Sequence, residues 1–170
     1  MTITSFSLAG MPTDEVERQR ATEMSGILAV AGDPRLMELA KVARLQSRAE
    51  TALICAVSAY NVFVVAQDGV RPGVFSRTRS FVGHMIMNRL QVLVVPDAAQ
   101  DPDFAGNTLV ENGDVKFYAA AALRDNSGQT IGAVCVTSRK AKLDWSDSDS
   151  QHLRDVAAAV MQSLKTRRHG

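Results

Sequence analysis

Two apolar runs on either side of a four-residue turn constrain this chain most. Residues 116–123 and 130–137 carry Phe117, Tyr118, Ile131, Val134 and Val136, and Asp125-Asn126-Ser127-Gly128 lies between them. Asp, Asn and Gly reverse a chain cheaply because they tolerate left-handed backbone or bond their own main chain. The two runs therefore read as a hairpin, which commits the sheet to antiparallel pairing. A helical pattern follows, with Leu153, Val156, Ala157, Val160, Met161 and Leu164 on one stripe. Ser146 and Asp149 have capping-box spacing before it, and Asp147, Arg167 and Arg168 suit the two ends of its dipole.

The rest of the chain adds strands to that hairpin. Residues 51–58, 62–66 and 92–95 are short apolar runs, the last stopped by Pro96. A first helix is predicted over 14–31, with Asp14 and Glu17 at capping-box spacing and Met24, Ile27, Leu28 and Ala31 on one face. A second is predicted over 34–47, with Asp33 as N-cap and Pro34 at its first position. Ser80 can cap a short helix over 81–88. The expected class is α+β, a twisted antiparallel sheet of five or six strands. Helices 14–31, 34–47 and 147–166 should pack on one face, leaving a loop-covered pocket on the other. Residues 1–13 read as a flexible lead-in, 14–166 as one domain and 167–170 as a basic tail.

Charge narrows the partners. With 19 Lys and Arg against 18 Asp and Glu the net charge is +1, which gives no pull toward nucleic acid or membrane. No apolar stretch approaches the ~18 residues of a membrane span, and no signal peptide is legible, so a cytoplasmic location is expected. Cys55 and Cys135 sit inside apolar runs and read as buried small hydrophobes of a reducing compartment.

Three segments then resemble a known family. Arg77, Ser80, Phe81, Gly83, His84 and Ile86 match a GAF segment, as do Val94-Val95-Pro96-Asp97-Ala98, Asp101-Pro102, Phe104-Ala105, Asn107 and Leu109-Val110. Lys116 to Leu123, with Gly128, Ile131-Gly132 and Cys135-Val136, is similar to the family's final hairpin. The likeness spans residues 14–164. Val82 stands where the family often has Cys, and Ala120 and Ala122 where it has Gly and Pro. The thiols and Cys-His pairs of relatives that reduce methionine sulfoxide or bind bilins are absent, as is the residue set of cyclic-nucleotide GAF domains.

The resemblance implies a small-molecule-binding or signal-input regulatory domain with no catalytic residue, cofactor or metal. Phe81, His84, Met85, Phe104, Phe117 and Tyr118 would line the pocket, with Asn107 at its mouth. His84 suits a ligand or metal, or equally a loop cap. His152 and His169 do not combine with it into a ligand spacing. Asp97 and Asp101 could act as paired acids, but their loop favours Asx turns, and a bridge from Arg77 to Asp97 fits. All three are assigned structural roles. The alternatives are a ligand-free dimerisation or interaction module, possible with a regulatory protein partner, and more remotely a small redox enzyme. The first helix has no evident sheet to cover, so a homodimer through the terminal helices is expected, with Glu15, Arg18 and Glu23 at its rim.

Overall fold

The computed structural model describes residues 6–168, the side chain of Arg168 excepted. The helices are α1 (Glu15–Ser25), α2 (Pro34–Ser47), α3 (Phe81–Met87), α4 (Thr108–Glu111) and α5 (Asp147–Arg168). The strands are β1 (Thr51–Val57), β2 (Asn61–Asp68), β3 (Val74–Ser76), β4 (Val92–Val95), β5 (Phe117–Arg124) and β6 (Thr130–Ser138). All six form one sheet in the order β3-β2-β1-β6-β5-β4, every pair antiparallel. The β5–β6 hairpin closes as its sequence requires. Asp125 Oδ1 accepts from the N–H groups of Ser127 and Gln129, and Gly128 takes φ 85°.

Alternation along the strands divides the core in two. Phe117, Ala119, Ala121 and Leu123 of β5 face α2 and α5, together with Ile54, Val134 and Val136. Tyr118 and Ala120 face the opposite side, with Cys55, Cys135 and the side chains of α3. At the crossing of β1 and β6, Gly132 lies opposite Ala56, and a Cβ added there would come within 1.9 Å of the Cys55 carbonyl oxygen. Only glycine lets those two strands approach so closely.

The caps of α2, α3 and α5 match the sequence. Asp33 accepts from Leu36 N–H, Ser80 from Gly83 N–H, and Ser146 and Asp149 bond reciprocally. The first helix does not match. It ends at Gly26, in left-handed backbone at φ 76°, and a single 3-10 turn over Ile27–Ala29 follows. Met24, Ile27, Leu28 and Ala31 are thus not one helix face: Ile27 is buried in the domain core while Met24 and Leu28 are exposed. The face α1 buries is polar, formed by Arg18, Thr22 and Ser25, and it packs on β6. Asp14 does not cap α1 with its side chain; the carboxylate pairs with Arg89 instead.

The two ends are also corrected. Helix α5 continues past 166, and Arg167 pairs with the N-cap Asp33 rather than lying in a tail. The remainder of that tail, including His169, and residues 1–5 of the lead-in lie outside the described residues. From Phe6 to Gly10 the lead-in is anchored, as described below. Among the described residues no helix is long and apolar enough to cross a membrane.

Candidate functional site

The site grows from the short helix α3. Ser80 starts it, and Gly83 lets it approach the preceding turn, where a Cβ would come within 2.3 Å of the Arg77 carbonyl oxygen. That approach presents Phe81, His84 and Met85 to the sheet face opposite the long helices. Phe81 stacks on Tyr118 of β5 at 4.4 Å between ring centroids and on Phe104 of the following loop at 4.5 Å. His84 meets Phe104 edge to face at 4.9 Å. Phe81, His84, Phe104 and Tyr118 therefore belong to one cluster, with Met85 fully buried beside them. The rings touch one another, so between them there is no gap of ligand size.

Phe117 does not belong there. It precedes Tyr118 on the same strand, so its side chain emerges on the other face, against Trp145 at 5.2 Å. Asn107 is a tie rather than an open mouth residue. Its Nδ2 donates to the Arg79 carbonyl and its Oδ1 accepts from Leu109 N–H, capping α4. Asp97 and Asp101 fold their own loop: Asp97 Oδ1 accepts from Ala99 N–H and Asp101 Oδ1 from Asp103 N–H.

Arg77 bonds Glu15, not Asp97. Glu15 and Arg18, expected at the rim of an interface, are inside the domain. Arg77 and Arg18 are each 1% exposed and converge on the one carboxylate of Glu15. Further N–H groups of the two guanidiniums donate to the carbonyls of Val57, Ser58, Ala59 and Thr130, while the Arg77 Nε is buried without a partner. Burial pushes the Glu15 carboxyl up, but hydrogen bonds from Arg77, Arg18 and Gln19 together outweigh it and hold its pKa down at about 2. No apolar pattern announces these residues.

The lead-in covers the cluster. Ser7 N–H donates to the Asp103 carbonyl at 3.1 Å, and His84 Nε2 lies 2.5 Å from the Ser7 carbonyl oxygen. A carbonyl only accepts, so Nε2 carries the proton. Phe6 packs edge-on to the same imidazole at 5.9 Å. Ala9 N–H donates to the Thr78 carbonyl, and Ala9 is buried against Gly83. The polar atom the sequence offered to a ligand is thus taken by the chain's own backbone.

On the same sheet face Tyr118 O–H donates to Cys135 Sγ at 3.1 Å. Its hydrogen bond with Cys135, and then burial, push the Cys55 thiol well up; burial does the same to the Tyr118 hydroxyl. Among the described residues no three His, Cys, Asp or Glu side chains come together as a metal site.

A family model for the GAF domain matches residues 33–164. Among solved structures, the chain is similar to the blue-light absorbing form of the PixJ GAF domain of Thermosynechococcus elongatus. The TM-score is 0.62 at 14% identity, covering 94% of this chain and 92% of that one. It is also similar to the GAF domain of an Acinetobacter phosphoenolpyruvate-protein phosphotransferase, with TM-score 0.65, 11% identity and coverage of 94% and 97%. The chromophore-binding domain of the bacteriophytochrome RpBphP3 from R. palustris gives TM-score 0.64 at 13% identity, with coverage of 95% and 64%. No curated protein matches the chain. At these identities the structures speak for the fold, and the family match carries the assignment: the chain belongs to the GAF domain family.

Proposed function

We propose that this chain is a signal-input regulatory GAF domain that binds a small molecule, performs no chemistry and passes its response to the terminal helices. The observation that carries the reading is the seat of Ser7 between Asp103 and His84. A ligand that takes the Nε2 proton of His84 must release the Ser7 carbonyl. The freed segment leads directly into α1, so the site and the helix share one equilibrium. The covered arrangement is then the resting state, and a ligand shifts the population toward the open one.

The stacked rings of Tyr118, Phe81 and Phe104 favour a second reading, a ligand-free interaction module. In either reading we propose a homodimer, open to a regulatory protein partner. Native mass spectrometry of the purified full chain separates the two. The expected spectrum has a population carrying a non-covalent small molecule, lost in His84→Gln. A spectrum with no adduct on the 18.3 kDa chain or on its dimer, with no rise in melting temperature across a metabolite set, would leave the interaction module.

A further inference from the structure

A hollow lies on the other face of the sheet, between α5 and the β4–β5 edge, with a volume of about 390 Å³. Its lining includes the small side chains of Ala122 on β5 and Ala157 and Ala158 on α5. Its rim holds Arg124, Arg154 and Lys165, with the amides of Gln91 and Gln162, and no carboxylate lines it.

Several arginines elsewhere in the fold are neutralised by carboxylates. Arg18, Arg44, Arg77, Arg89, Arg139 and Arg167 each pair with an Asp or Glu. The three cations of this groove have no such partner among the described residues. Arg124 donates one N–H to the Arg89 carbonyl, and Lys165 one to Asn126 Oδ1. The Nε atoms of both Arg124 and Arg154 are buried with no hydrogen-bond partner, as is that of Arg77, but Arg77 has the Glu15 carboxylate beside it and these two have none. A buried donor left unmade costs about 1–3 kcal/mol, and more on a charged group. Gathering three like charges around one hollow adds repulsion to that cost. An oxyanion in the groove removes both penalties at once, because guanidinium N–H groups match a phosphate or carboxylate as a fork.

The spacing gives the ligand its shape. Arg154 and Lys165 lie on one face of α5, eleven residues apart, which is about 16 Å along a helix. Ala158 and Met161 lie between them on the groove wall. We propose that this groove binds a small, elongated molecule with a phosphate or carboxylate at each end and a neutral middle. It is separate from the His84 cluster and does not depend on the reading given to that cluster.

The test is an amide NMR titration of the full chain with hexane-1,6-bisphosphate, with suberate as the carboxylate arm and inorganic phosphate as the one-ended control. Saturable shifts should appear around Arg124 and along 154–165. The two-ended probe of the right chemistry should bind about tenfold more tightly than phosphate. Arg154→Gln should weaken it about tenfold without lowering the melting temperature, and Arg139→Gln should not. If Arg154→Gln fails to fold, Lys165→Gln gives the same readout from a half-buried position. Shifts that never saturate with either probe, or that ignore both substitutions, overturn the site.

Discussion

Cys55 and Cys135 occupy neighbouring strands, and their thiols share a buried patch with the Tyr118 hydroxyl. Both thiols are buried away from any reagent, and a hydrogen bond to Cys135, with burial, also holds the Cys55 thiol in the unreactive neutral form. Native protein should therefore label slowly with a thiol reagent, and fast only after denaturant is added. Cys55→Ser should lower stability by about 1–3 kcal/mol in a denaturant melt, since a buried hydroxyl demands partners a thiol does not. Rapid stoichiometric labelling of folded protein would revive a redox role. The residue scale also shows where the sequence misled. Phe117 and Tyr118 both look like pocket lining, but adjacent strand positions cannot share a face. The period-two rule was sufficient to separate them, and the bulk of the two rings obscured it.

At the scale of elements, α1 is held by charge where α2 and α5 are held by apolar stripes. Glu15 joins it to Arg77, and Arg18 reaches the carbonyls at the ends of β1 and β6. The Glu15 carboxyl titrates at about 2 in the fold against an ordinary 4.5. A depressed carboxyl contributes stability above its unfolded pKa and loses it as pH falls toward the folded one. Wild-type protein should thus lose stability from about pH 4.5 down to 2. Glu15→Gln should start less stable at neutral pH and show a shallower acid decline, with faster amide exchange over 15–25. Parallel acid curves for the two proteins would show that this carboxylate is not the anchor. The caps of α2, α3 and α5, the hairpin and the α5 stripe were legible because each has a local chemical signature. The end of α1 was not, because the apolar period runs through Gly26 as if the helix continued. Nor was its buried face, because a polar contact with strand-end carbonyls has no periodicity to read.

For the whole molecule, the open question is what meets the apolar surface that the fold leaves uncovered. The face expected to carry the bundle of terminal helices is broken up, since Ile27 is buried in its own domain and α1 packs on β6 through Arg18, Thr22 and Ser25. Of that face, Met24 at 64% and Leu28 at 42% stay exposed. Leu28 and Ala31 border a mainly apolar hollow of about 560 Å³ with Phe63, Pro72 and Val74 beside the short edge strand β3. A contiguous apolar patch of this kind is what a two-fold contact uses, and a single chain gains nothing from keeping it wet. Light scattering at micromolar concentration should give the mass of two chains. Met24→Glu combined with Leu28→Glu should return it to one chain while leaving the melting temperature of the dilute protein unchanged, because both side chains point away from the core. A parent protein that scatters as a single 18.3 kDa chain at every concentration tried would rule the homodimer out.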